Sequence, residues 1–392
     1  MNTNRTNMTR RQLLAASGIS LVSLGSAAPA APLAPVSIGK IAGYDQDLTR
    51  LLAEQFDQIG GIAKLVAGKT VAIKLNLTGG GRIGSYSAGQ THWVHPKLVG
   101  ACCHLLGRAG AKRIRLLEGA GRGDSLADKM LDAGWDVPAL RSAAPVVEFE
   151  DTNRLGRAKR YSRLKVAKPY VYPAFDLHPS YEETDVFISM SKLKHHEECG
   201  ITLTIKNSFG IAPNSVYGDD AGVDEPNENP RRGREAMLHL GRRQPPKSAP
   251  QEVDFASERY EGYRVPRICV DLIAARPVDL AIIDGIESSI GGEGPWVKGV
   301  RYANPQVLLV GRNPVCTDAV ATAVMGYDPR ASRGQLPFRS TKPSAPDAPQ
   351  YAENPMLLAE AVGIGSADLA RIDVRGVPIK DALYDFESRR KP

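Results

Sequence analysis

Short apolar runs alternate along this chain with stretches whose apolar positions fall three or four residues apart. Residues 70–77 (TVAIKLNL), 113–117, 146–150, 186–190, 280–284 and 307–310 are rich in β-branched and aliphatic side chains, and the pattern predicts strands buried on both faces. Between them, 48–62 has helical spacing, 95–109 opens with His95 and Pro96, and a helix follows a cap at Asp124 or Ser125. Two more helices are predicted at 266–275 and 314–325, each with proline at the favoured first turn. Strands separated by helices predict an α/β fold with a mostly parallel sheet, or sheets, covered by helices on both faces, in one large domain or two interleaved ones. Ligands of such folds sit at the carboxyl ends of strands, so chemistry is sought just after each strand.

The pattern occupies 40–376 and leaves a tail at 377–392. Two stretches interrupt it, 219–262 with Arg231, Arg232, Arg234, Arg242 and Arg243, and 331–355, rich in Pro and Ser. Both exceed ordinary connections and read as surface excursions, with the arginines solvated rather than forming a basic lid over an anion. Residues 1–30 read as an address. Thr9, Arg10, Arg11, Gln12, Leu13 and Leu14 match the twin-arginine export pattern, a mildly apolar run continues to Leu24, and Ala28, Pro29 and Ala30 supply a cleavage site. The chain is therefore expected to engage the twin-arginine translocase and to act in the periplasm or beyond, with no stable membrane span after cleavage.

Hydrophobic residues make up 42% of the 392 and charged ones 24%, which excludes collagen-like and disordered chains. Only 6% are aromatic, with Gly 38 and Pro 28, which favours a loop-rich α/β protein over a bundle. The net charge is +7, but setting aside Arg5, Arg10 and Arg11 in the leader leaves 47 basic against 43 acidic residues. That mild surplus lacks the aromatic-interleaved stripe of a nucleic-acid groove, so a small anionic partner is expected and no nucleic acid. Cys102, Cys103, Cys199, Cys269 and Cys316 are scattered without a C-x-x-C pair, so neither a disulfide scaffold nor an iron–sulfur cluster is expected.

The densest chemistry follows the strand at 186–190: Lys192, Lys194, His195, His196, then Lys206 and Asn207. Imidazole ligates metals or exchanges protons near neutral pH, and a lysine beside it fixes a carboxylate or, once desolvated, acts as nucleophile or base. His195 or His196 is the candidate proton carrier, His196 the candidate metal ligand and Lys206 the cationic or covalent anchor. Lys192 completes the catalytic set, and Lys194 and Asn207 join the ligand-binding set. Lys74 and Asn76 alternate with apolar residues in the first strand, and the loop from Gly79 to Gly84 fits G-x-G-x-x-G without the helix that motif needs. The turn of Gly119, Gly121 and Gly123 after Glu118 precedes a helix and is the better anion cradle. Asp284 and Glu293, beside glycines, complete the set, and Asp318 is either a buried cap or a salt-bridge partner. Lys74, Glu118, Lys192 and Asp284 come from four strand ends and are expected around one cleft.

In order, KLNL (74–77), His95 with Pro96, TDVFISMSKLKHH (184–196), GITLTIKNSFG (200–210), IIDGI with GGEGP (282–295) and NPVCTDAVATAVMG (313–326) resemble the family catalogued as domain of unknown function 362. The resemblance spans 74–376. Some members carry ferredoxin-like clusters, whose cysteine spacing this chain lacks. The run 185–210 is also similar to the core motif of lactate racemase-like enzymes, and that resemblance implies that His196 and Lys206, ten positions apart, hold a nickel-pincer nucleotide. It implies a racemase or epimerase acting beside a carboxylate. The competing expectation is a non-catalytic periplasmic anion-binding or accessory protein. Glu118, Asp284 and Glu293 favour the enzyme, because an anion clamp gains nothing from carboxylates nearby.

Changing Arg10 and Arg11 together to lysine should hold the product inside the cell, while the unchanged chain yields a periplasmic form starting near Ala31. Equal periplasmic yield from both, read by fractionation and blotting, would refute the export reading.

Overall fold

The computed structural model describes residues 31–79, 91–119, 125–339 and 349–389. The leader motif, the loop from Gly80 to Gly84, and Gly121 with Gly123 lie outside the described residues. Ala31 onward clusters as one unit.

Its frame is one sheet of β1 (Val36–Lys40), β2 (Thr70–Lys74), β3 (Arg113–Glu118), β4 (Val147–Asp151), β5 (Val186–Lys192), β6 (Leu280–Gly285), β7 (Val307–Gly311) and β8 (Val374–Gly376). They lie in the order β8-β1-β7-β6-β5-β2-β3-β4. β4, β3, β2, β5 and β6 pair in parallel, β8 is parallel to β1, and β7 alone runs against its neighbours. All six predicted strands are in this sheet. β5 continues two residues past its apolar run because Ser191 and Lys192 stay in register with Ile283 and Asp284 of β6. β1 and β8 escaped the pattern, the first behind a proline-rich exit and the second only three residues long.

Successive strand side chains point to opposite faces, and both faces are covered. Val71, Ile73, Leu116, Ile188, Met190 and Ile282 pack against helices α1 (Leu48–Gln58) and α2 (Pro96–Arg108). Ala72, Leu117, Phe187, Ile283 and Leu309 pack against α3 (Glu261–Ala275) and α4 (Pro314–Val324). Each of these side chains larger than Ala72, taken fully out of water, contributes about 1.5–3 kcal/mol before chain entropy is set against it.

Caps explain the helix starts. His95 accepts from Lys97 N with Pro96 next to it, Ser125 accepts from Asp128 N, and Asn313 accepts from Val315 N and Cys316 N ahead of Pro314. α3 departs from expectation. It begins five residues before Pro266, and the Gly262 carbonyl that a proline cannot serve accepts instead from Glu353 N at 2.9 Å.

The long segment 219–262 is more than a surface excursion. Met237, Leu238 and Leu240 are buried, and Arg264 of α3 reaches back to Glu252 at 2.7 Å and to the Leu238 carbonyl at 3.3 Å. Arg259 adds a second ion pair to Glu252. Past Gly376 the chain still contributes Phe386 to the core. Arg264→Ala would leave the Glu252 carboxylate buried with one partner fewer, and the unfolding free energy in denaturant should fall by about 3 kcal/mol or more. A fall below about 1 kcal/mol, the scale of a solvated pair, would show that the segment is held by other contacts.

Candidate anion-binding site

Register decides which strand-end residues can meet. Lys192 pairs across the sheet with Asp284, whereas Lys74 pairs with Leu117 and Ser189. Alternation sends Lys192 and Asp284 to the face of Met190 and Ile282, and Lys74 to the opposite face with Leu117. The single cleft expected from four strand ends is therefore two separate groups.

The first group is closed. Lys192 Nζ donates to Tyr44 OH at 2.7 Å and to Asp284 Oδ2 at 3.0 Å, Tyr44 OH donates to Asp284 Oδ1 at 2.7 Å, and His95 N donates to Asp284 Oδ2 at 3.1 Å. The Tyr44 ring stacks on His95 with centroids 3.8 Å apart. Burial pushes the Lys192 pKa down and the Tyr44 pKa up. Every partner is already satisfied, so this network ties β5 and β6 to the start of α2 and does not present Lys192 or Asp284 to a ligand.

The second group opens a cavity of about 650 Å³. Lys74 Nζ donates to Glu118 Oε1 at 2.6 Å and to the Leu75 carbonyl at 2.7 Å; Glu118 also accepts from Gly119 N and Leu77 N, each at 2.9 Å. Burial lowers the Lys74 pKa, and Glu118 opposes that shift. Gly210 passes so close that a Cβ there would lie 2.9 Å from Lys74 Nζ.

Over this pair stands the one-turn helix Thr204–Asn207, whose own cap residue Leu203 offers no side-chain bond. Asp318 of α4 serves instead, accepting from Thr204 N and Ile205 N at 2.9 Å each. Of its two sequence readings, the buried cap is the one observed, and burial raises its pKa to about 7. Asn207 Nδ2 donates to Ser189 Oγ, and Asn76 Nδ2 donates to Asn207 Oδ1, both at 3.0 Å, which locks the turn to β5 and to the exit of β2. Lys206 is thereby carried to the cavity wall.

Lys206 makes no hydrogen bond or ion pair among the described residues. Its Nζ lies 4.6 Å from the Phe209 ring centroid, and the Arg234 guanidinium lies 5.6 Å from the same centroid. An aromatic ring positions cations without neutralising them. Arg234 donates to Asn153 Oδ1 at 3.2 Å, forms no ion pair among the described residues, and has its pKa pushed down by burial to about 10. Arg231 and Arg232 are exposed residues that line the same cavity. Arg231 and Arg232 thus keep the solvent exposure expected of loop residues while bordering the cavity with Arg234, and Arg243 is tied to the Ala221 carbonyl.

The histidines part company in the hairpin of Lys194–His196 and Gly200–Thr202. His196 lines the cavity. Its Nδ1 accepts from Glu198 N at 3.2 Å, which leaves the neutral ring's proton on Nε2, and burial followed by the charge of Lys206 holds its pKa below the ordinary range. His195 turns away, with Nδ1 accepting from Gly291 N at 2.9 Å and Nε2 2.9 Å from Tyr327 OH. Lys194 spends its three donors on Thr78 Oγ1, the His92 carbonyl and the Glu293 carbonyl at 2.7, 2.6 and 3.1 Å. Glu293 accepts from Glu197 N and Trp296 Nε1 and stands 4.0 Å from His196 Nδ1. Among the described residues, no group of three His, Cys, Asp or Glu is placed to hold a metal ion. Phe209, Arg234 and Asn153 were missed from sequence; the NSFG run directly after Lys206 and the arginine cluster at 231–234 were the available signals.

The family model described as "Domain of unknown function (DUF362)" matches residues 71–323. The chain is 25% identical over 305 residues to the Thylakoid-associated protein sll1697 of Synechocystis sp., an alignment covering 75% of each chain. A crystal structure of a protein from Thermotoga maritima aligns with a TM-score of 0.35 at 11% identity, over 68% of this chain and 56% of that one.

Burial also depresses His92 to about 3 and His95 to about 4, so the fold holds these rings neutral, like His196, at pH values where the unfolded chain takes up protons. Their contribution is intact above the unfolded value of about 6.5 and is lost as pH falls towards the folded values. The raised Asp318 acts with opposite sign, adding stability as pH falls below about 7. Removing one histidine isolates its share: between about pH 6.5 and 4.5 the melting temperature of His196→Asn should drop less than that of the unchanged protein. Parallel curves would show that His196 already meets solvent protons freely.

Proposed function

The chain belongs to the family described as Domain of unknown function (DUF362), and from that premise we propose that it binds a small organic anion in the cavity over β2 and β3 and exchanges a proton with it through His196. The observation that carries this reading is a charge imbalance. Among the described residues, Lys206, Arg231, Arg232 and Arg234 all line the cavity without an ion pair, while its one carboxylate there, Glu118, is already neutralised by Lys74. Cations gathered in a partly desolvated cleft are stabilised when an anion enters.

His196 enters the exchange as a ring that is neutral at pH 7 and whose Nδ1 is taken by Glu198 N, so the proton it gives and takes back is the one on Nε2. Lys206 holds down the basicity of His196, and an anion seated on Lys206 offsets that charge. A racemase or epimerase acting beside a carboxylate is the concrete form of this proposal, with Lys206 as the anchor. A nickel-pincer nucleotide, if it is the cofactor, would be held by the same Lys206 and His196. The leader would bring the protein to the periplasm through the twin-arginine translocase.

A second reading, an anion-binding protein without turnover, draws support from the carboxylates. Glu118 is spent on Lys74, Asp284 is sealed with Lys192, and Glu293 is occupied by backbone and indole donors, so the acids that acid–base chemistry would use are engaged. Lys206→Arg separates the readings, because guanidinium keeps the charge but neither loses a proton near neutral pH nor readily forms covalent adducts. Protein purified with its leader intact should melt within a few degrees of the unchanged chain for both Lys206→Arg and His196→Ala, yet lose its ligand in both, as measured by mass spectrometry of the denatured supernatant. Ligand kept by Lys206→Arg alone supports binding without turnover, and ligand kept by both removes the cavity from consideration.

A further inference from the structure

The cavity is lined by polar atoms that the described residues leave without partners. Asn76 Oδ1, Thr202 Oγ1, Asn214 Oδ1 and Arg234 Nε are shielded from solvent and make no hydrogen bond among the described residues, and all four side chains line the cavity. Asn76 and Thr202 are only 7% and 3% exposed, so solvent reaches them poorly. Buried polar groups in native proteins are nearly always paired, and several orphans lining one cavity point to a ligand that completes them.

Their chemistry limits what that ligand is. The two amide oxygens accept and cannot donate, so an ionised carboxylate, which has no donor, leaves them empty, and inorganic phosphate brings only its own P–OH. Hydroxyl groups satisfy them. Thr202 Oγ1 both donates and accepts, and Arg234 Nε donates towards negative charge. Charge limits it further. Lys206 and Arg234 gather at the ring of Phe209, an arrangement suited to one doubly charged group rather than to separated single charges. The volume of about 650 Å³ falls among pockets for molecules of many heavy atoms and exceeds what a three-carbon acid fills.

Resting on the anion reading above, we infer that the ligand is a phosphorylated polyol, in its simplest form a sugar phosphate, with the phosphoryl dianion on Lys206 and Arg234 and the hydroxyls on Asn76, Thr202 and Asn214. The phosphoryl group supplies charge and the polyol supplies donors; neither half alone answers both the cations and the unpaired acceptors.

Calorimetric titration of the full chain with ribose 5-phosphate, inorganic phosphate, L-malate and ribose tests each half. Ribose 5-phosphate should bind about ten-fold tighter than inorganic phosphate or L-malate, and ribose should give no heat. Thr202→Val removes a hydroxyl that has no partner in the protein, so its melting temperature should not fall; it should weaken ribose 5-phosphate towards the affinity of inorganic phosphate and leave inorganic phosphate unchanged. Malate binding as tightly as ribose 5-phosphate overturns the phosphoryl assignment while the anion reading stands. Ribose 5-phosphate binding no tighter than inorganic phosphate, or Thr202→Val weakening both equally, overturns the polyol assignment. No binding by any of the three anions overturns the anion reading itself.

Discussion

Lys74 ends a central strand with almost none of its surface in water, and such an ammonium persists only with a carboxylate against it. Glu118, at the end of the neighbouring strand, is that carboxylate, and because it also accepts from Leu77 N and Gly119 N it sets the exits of β2 and β3 together. The pair therefore acts twice. It forms the floor of the cavity, and it uses up the negative charge that would otherwise neutralise the cations above it. Removing Glu118 would leave a buried charge unpaired and free two backbone donors at once, which is the costly way to break such a pair.

Above that floor the site is held by groups that position without neutralising. Asp318 caps the turn that bears Lys206 from a helix on the far side of that turn, so the anchor answers to α4 as much as to its own strand. Phe209 gathers Lys206 and Arg234 through its ring, and Asn207 pins the turn by amide contacts. The charge of Lys206 in turn sets the proton affinity of His196. These dependencies link fold and site in one direction: α4 places the turn, the turn places Lys206, and Lys206 tunes the histidine.

The parallel sheet and its covering helices were legible because β-branched runs and proline-led helices leave strong marks over many residues. So was the neighbourhood of the site, since Lys74, Glu118, His196 and Lys206 all follow strands. What the sequence could not show was which way each side chain points. His195 and His196 look equivalent in a string of letters, yet a hairpin sends them to opposite sides, and Lys192 and Lys74 part for the same reason once register is known. Lys194 looked like a ligand contact and proves to be a fully bonded internal tie. Arg234 stood out in the arginine cluster at 231–234, but that it reaches the cavity from more than a hundred residues beyond Lys74 and Glu118 is a long-range contact that local spacing does not announce.

The central claim is that the cations over the Lys74–Glu118 pair are uncompensated and await an anion. A crystal structure of the protein grown with excess phosphate addresses it directly. The account predicts density for an oxyanion within hydrogen-bond distance of both Lys206 Nζ and the Arg234 guanidinium, with Lys74 still on Glu118. A cavity holding water alone, with Lys206 swung onto a protein carboxylate, would contradict it.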